Sequence, residues 1–136
     1  GGPVLDDEGQ VVAVALWGDP SPATWAVPID LARRVAGDLI ADGRAHHPWL
    51  GVEGEDAADG PRVHAVTGGG PADVAGLTTG DVLVTVAGRP VRTMADVILA
   101  VREHRPGDDV AIEYRREGRD ADCRAVLAEL PPAPAE

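Results

Sequence analysis

The chain has 136 residues, 44% of them hydrophobic and 26% charged, with a net charge of −11 and a single cysteine. That length suits one domain, or one domain with part of another, and the apolar share is enough for a compact core. The acid excess argues against nucleic-acid and anionic-membrane partners, the lone Cys123 excludes an intrachain disulfide, and no apolar run approaches the ~20 residues of a membrane-spanning helix.

Aromatics make up only 3% and Phe is missing, so Val, Ala and Leu must fill the core. With no long apolar segment the chain is expected to be soluble. Residues 1–18 read as two short strands, "PVL" and "QVVAVALWG", around "DDEG", whose Asp, Glu and Gly suit a hairpin loop. A Pro/Ser break, "DPSPAT", precedes a short apolar piece, "WAVP". In "IDLARRVAGDLIADGR" the apolar residues Leu31, Val35 and Leu39 recur at helical spacing; Asp30 is placed to cap the N-terminus and Gly43 to stop the helix. "AHHP" then reads as a surface linker. His46 and His47 lack the Cys or second His pair that a metal site needs, so no metal is expected.

From Trp49 onward short strands alternate with glycine-rich turns. "WLGVEG" and "PRVHAV" read as extended, with His64 on the strand surface or edge. "TGGGPADVAGLTTGD" reads as a turn, one helical turn and another turn. "VLVTVAGRPV" is a strand and "TMADVILAVREH" a helix begun by Thr93. "DVAIEYRREGRDADCRAVLAEL" reads as a hairpin turning at Glu117-Gly118, with Val110, Ile112 and Tyr114 on one face. Cys123 shares a period-two face with Ala121, Ala125 and Leu127 and reads as a small buried hydrophobe. The tail at 131–136 is too Pro-rich to pack and is expected to be extended and mobile. The whole predicts an α+β protein whose second half is a partly open barrel with one long and one short helix.

The stretches "WLGV", "GGGPADVAGLTTGDVLVTVAGRPV" and "TMADVILAVREH" resemble the PDZ domain of the circularly permuted bacterial type. The resemblance covers about residues 49–130. It implies a groove in which an extended ligand adds as a strand to an exposed sheet edge, so that main-chain hydrogen bonds supply affinity. By resemblance the carboxylate-binding loop is Trp49-Leu50-Gly51-Val52, where Gly51 lets the backbone approach the anion. Met94, Ile98 and Val101, with Val97 beside them, would wall the groove, and the ligand's last side chain would sit near Leu50, Val52 and Val101. A hydrophobic C-terminal residue is therefore implied, and Met94 points to an apolar residue two positions back. The same stripe also suits a core, and both roles stay open for each residue. "EGEDAADG" is short compared with many relatives, which implies a short edge strand. Its Glu53, Glu55, Asp56 and Asp59 would disfavour acidic ligands, or would simply form a solvated loop.

The first forty-eight residues resemble the end of a trypsin-fold protease of the HtrA (Deg) family. Gly1-Gly2-Pro3-Val4 matches the second half of that family's nucleophile loop, "DEGQVVAV" the following hairpin, "WAVP" the family's "FAIP", and "IDLARRVAGDLIADGRAHHPWLGV" the helix that leads into the PDZ domain. This implies a division into a protease remnant with linker helix at 1–48, a PDZ domain at 49–130 and a disordered tail at 131–136. The catalytic Ser would stand immediately before Gly1. Ser21, the only serine, lacks a nucleophile-elbow context and reads as a loop residue. By match, Gly1, Gly2, Leu16, Trp17 and Gly18 would belong to the remnant of the protease pocket, with Trp25 and Ala26 opposite; ordinary strand residues are the alternative. The resemblance thus implies the C-terminal part of a serine endopeptidase that has no catalytic residue of its own, is inactive alone and needs no cofactor. Its partners would be peptides or unfolded proteins with hydrophobic C-termini and the rest of the protease domain, with a possible homo-oligomer in the parent, and its location would be the cell envelope or periplasm. A non-catalytic PDZ adaptor is the alternative; in it residues 1–30 would pack stably on the PDZ unit.

Overall fold

The computed structural model describes residues 1–16 and 26–132. The chain forms two compact units, Gly1–Ala45 and His46–Glu136.

The first unit is a three-stranded antiparallel sheet, β1 (Pro3–Leu5), β2 (Val11–Ala15) and β3 (Ala26–Pro28), in the order β1-β2-β3, followed by helix α1 (Ile29–Asp42). The β1–β2 turn is held by one side chain. The Asp6 carboxylate accepts from the Glu8 and Gln10 amides at 3.0 and 2.8 Å, and Gly9 takes a left-handed φ of 78°. The expected hairpin around "DDEG" is present. Helix α1 departs from expectation at its start. Pro28 is the residue before the first turn and no side chain caps it, while Asp30 lies inside the first turn. There its carboxylate faces the positive end of the helix dipole and pairs with Arg33 at 4.0 Å. Proline at the boundary pre-sets φ and has no amide of its own, but it offers no side-chain oxygen to the first-turn amides. Gly43 ends the helix in the left-handed conformation, as its sequence position predicts.

The second unit is built on a sheet with β10 (Arg119–Val126), β9 (Asp109–Arg116), β7 (Val82–Val86), β6 (Gly60–Val66) and β5 (Val52–Ala57) in that order, and with the short β8 (Arg89–Pro90) on β7. A separate pair joins β4 (Pro48–Trp49) to β11 (Ala128–Glu129). The one-turn helix α2 (Pro71–Val74) and the longer α3 (Met94–Arg102) complete it. No barrel closes. The core gathers Leu50, Val63, Leu77, Leu83, Val86, Val97, Val101, Val110, Ile112, Tyr114 and Leu127 with small alanines between them. β9 shows the predicted alternation: Val110, Ile112 and Tyr114 are buried and Ala111 and Glu113 exposed. Cys123 is half-buried and packs against that core, and burial pushes its thiol up.

Two polar devices fix the loops. Thr93 and Asp96 form a reciprocal capping box at the start of α3, and the Asp96 carboxylate also accepts from the Arg92 amide at 2.9 Å. Asp81 is buried at the start of β7 and receives the Arg116 guanidinium through two 2.8 Å bonds and the Thr78 amide through a third. Arg116 also bonds the Gly76 carbonyl and lies 5.1 Å from the Tyr114 ring centre. The α2–β7 turn is thereby tied to the end of β9.

His46 and His47 are not a free linker. The Glu129 carboxylate takes the His46 ring at 2.9 Å and the His47 amide at 2.7 Å, and the Leu130 amide donates to the His47 carbonyl. A linker reading from "AHHP" misses this because the partner lies 82 residues away in sequence.

Candidate functional site

Strand β5 is an edge of the larger sheet, paired on one side only, with β6. It spans six residues, longer than the short edge strand expected, because only two residues separate it from β6 and most of "EGEDAADG" is strand. The loop 49–52 runs straight into it. Trp49 is held by the β4–β11 pair, with Ala128 opposite. Leu50 is buried in the core and Val52 packs against it.

The backbone of this loop is turned by Gly51, whose φ is +84°. Its carbonyls face the domain: Leu50 O accepts from the Ala72 amide and Gly51 O from the Thr67 amide, both at 2.9 Å. Among the turn and loop bonds of the described residues, Leu50 and Gly51 act as acceptors and not as donors. With the Leu50 and Gly51 carbonyls turned inward, the amides that follow them in the same peptide planes, those of Gly51 and Val52, point the other way, the arrangement that suits an anion. The Trp49 ring does not line that side. It wedges between two glycines, since a Cβ built on Gly51 would lie 3.2 Å from the ring and one on Gly70 3.3 Å from it. The aromatic residue therefore shapes the loop from behind.

Helix α3 packs along β4, β5, β6 and β7. Its stripe divides. Val97 and Val101 are buried in the core, Ile98 is 48% exposed, and Met94 is partly buried against the core edge. The structure brings Leu50, Val52, Val101 and Met94 to one apolar cluster beside the edge strand, while Val97 lies on its inner side and Ile98 on its open side.

Of the residues matched to a protease pocket, Gly1 and Gly2 stand in open space, and the Gly2 carbonyl accepts from the Ala15 amide at 2.8 Å. Leu16 is exposed after β2, and Ala26 pairs with Ala15. Trp17, Gly18 and Trp25, with Ser21, lie outside the described residues. Among the described residues no cluster of three His, Cys, Asp or Glu is placed to hold a metal, and no helix is long and apolar enough to cross a membrane.

Sequence reasoning missed two residues of the edge strand. A Cβ on Gly54 would lie 2.7 Å from the Met94 Sδ, and the Asp56 carboxylate accepts from the Met94 amide at 2.7 Å. The signal for Gly54 was present: a glycine inside an alternating strand marks a close approach. Asp56 had none, because one acid in an acidic segment does not announce a partner 38 residues away.

The family model described as "PDZ domain" matches residues 48–127. The chain is 32% identical over 85% of its length to the "Putative serine protease HhoB" of Synechocystis, and covers 33% of that protein. It is 30% identical over 96% of its length to the "Probable periplasmic serine endoprotease DegP-like" of Ectopseudomonas mendocina, covering 31% of it. A solved variant of the HtrA-type protease AlgW with a decapeptide superposes with a TM-score of 0.74 at 26% identity, over 97% of this chain and 46% of that one. The chain thus spans about a third of the length of these curated relatives. Residues 48–127 are a PDZ domain, and the chain belongs to the HtrA (DegP-like) family of PDZ-containing serine proteases.

Proposed function

We propose that the second unit binds the hydrophobic C-terminus of a peptide or unfolded protein as an added strand on β5. The ligand's carboxylate sits on the amides of residues 49–52 and its last side chain on the cluster of Leu50, Val52 and Val101, with Met94 and Ile98 along the wall. The observation that carries this reading is the juxtaposition of an unpaired strand edge with a loop whose Leu50 and Gly51 carbonyls are both engaged inward. The AlgW structure with a decapeptide supports it by similarity. Glu53 and Glu55 are exposed on the same edge, so basic residues upstream in the ligand are favoured over acidic ones.

The first unit belongs, in this reading, to a trypsin-like barrel that the remaining protease residues complete. Val4, Leu5, Val11, Val12 and Leu16 are all exposed, which suits strands that await a partner surface. The division is then a protease segment and linker at 1–48, a PDZ domain at 49–130 and a tail. Peptide-bond hydrolysis would be performed by catalytic residues supplied by the rest of that barrel, in an extracytoplasmic setting like that of the periplasmic relatives. PDZ occupancy would deliver substrate or bias the protease between two arrangements.

Calorimetric titration with a peptide ending in Val or Leu, against its C-terminally amidated twin, tests the binding site. The free acid is expected to bind at least about tenfold more tightly, since the amide removes the charge that the loop receives. Equal affinities contradict the carboxylate assignment.

A further inference from the structure

We propose that Asp56 and Met94 close the far end of the groove and limit the strand-added ligand to its last three or so residues. The inference rests on the peptide-binding reading above and adds what sets the length of ligand that the groove accepts.

A ligand whose C-terminus sits at residues 49–52 must run antiparallel to β5, passing Val52, then Gly54, then Asp56. Side chains of these three residues share one face of the strand by its period of two. That face is turned toward α3: Val52 packs on the core, Gly54 receives the Met94 thioether, and Asp56 reaches the Met94 amide at 2.7 Å. The tie therefore crosses from strand to helix between two elements that a longer ligand would have to separate. From Gly51 to Asp56 the strand rises by about 17 Å at ~3.3 Å per residue, and the last part of it is spanned by the tie.

Gly54 makes the closure possible. Any side chain there would meet the Arg62 carbonyl of β6 at 2.5 Å and the Met94 Sδ at 2.7 Å, so glycine is what lets both β6 and Met94 approach. The Asp56 bond satisfies one of the first-turn amides of α3, which has no intrahelical acceptor, so opening the groove exposes a helix end as well. Residues of the ligand beyond the third leave the β5 edge and add no strand pairing.

The test uses the full chain with two peptides that share three hydrophobic C-terminal residues: an N-acetylated tripeptide and a decapeptide with an uncharged extension. In the wild type their dissociation constants are expected to agree within about threefold, because the extension makes no ladder bonds. In Asp56→Ala the decapeptide is expected to gain about fivefold or more over the tripeptide, the effect of one or two added strand bonds. Asp56→Asn keeps an acceptor for the Met94 amide and is expected to behave as wild type, which separates loss of the tie from loss of charge. Circular dichroism confirms that each variant is folded. A wild-type decapeptide preference above about tenfold, or an unchanged ratio in folded Asp56→Ala, overturns the inference. Failure of both peptides to bind either protein instead removes the peptide-binding reading itself.

Discussion

A methyl group on Gly51 would meet the Trp49 ring at 3.2 Å and would have to accept a φ of +84°. Gly51→Ala is therefore expected to cost about 1–2 kcal/mol of stability, and to weaken binding of a free-acid peptide by about tenfold or more by turning the loop amides. Gly68→Ala is the control, since its φ is ordinary and nothing lies within 4 Å; urea unfolding and titration of both variants check the contrast. Asp81 acts at the same scale. Burial pushes its carboxyl up, but the Arg116 guanidinium and the Thr78 amide outweigh that and hold it below the ordinary carboxylate range. Asp96 is also held low, first by the Arg92 amide and then, against some desolvation, by Thr93. Both groups bind protons more weakly when folded. Their stabilisation is thus complete above the ordinary carboxylate pKa of about 4 and is lost as pH falls through the lower folded values. The urea midpoint is expected to be flat from neutral pH to about 5 and to fall below 4, with a shallower fall in Asp81→Asn. That variant should lose about 2 kcal/mol at neutral pH, less than a fully buried pair because Arg116 still reaches solvent; a midpoint that rises on acidification contradicts the assignment. Gly51 was legible through the resemblance of "WLGV" to the loop of a known family, in which that position is glycine. The Asp81–Arg116 pair was not legible, because a pair 35 residues apart leaves no periodic trace.

Helix α3 was readable in detail because its start is local chemistry: Thr93 and Asp96 stand at capping-box spacing before an apolar run. Thr93→Ala is expected to cost about 1 kcal/mol in urea unfolding, and it should weaken peptide binding as well, since Met94 is the next residue and both its amide and thioether touch β5. A stability loss with unchanged affinity would detach the helix start from the groove. The opposite lesson comes from α1, where Asp30 looked like a cap and Pro28 takes that position with no side-chain oxygen to offer the first turn. Strand β5 was expected to be short because its segment is short. It is long because a two-residue turn leaves nearly every residue free to pair, and turn geometry of that kind is fixed by the partner strand.

For the whole molecule, the two units differ in how they treat apolar surface. The second buries Val, Leu and Ile around a continuous core, whereas in the first the strands leave Leu5 at 54%, Leu16 at 49% and Val12 at 42% exposed. Exposed strands of this kind pair with whatever edge they meet. The chain is therefore expected to self-associate in sedimentation velocity as concentration rises, and Leu5→Thr with Val12→Thr is expected to reduce it; a monomer at all concentrations contradicts the barrel-segment reading and favours the adaptor. The central claim concerns the second unit and has a direct probe, because its sheet has two edges. The β10 edge carries the Arg124–Asp109 and Arg115–Asp120 pairs, which blunt it, and β5 carries the loop. Backbone amide shifts followed by NMR during titration with a hydrophobic free-acid peptide distinguish them. The largest shifts are expected at Leu50, Gly51, Val52 and Glu53, with β10 unmoved; shifts centred on Arg119–Val126, or none at the loop, contradict it.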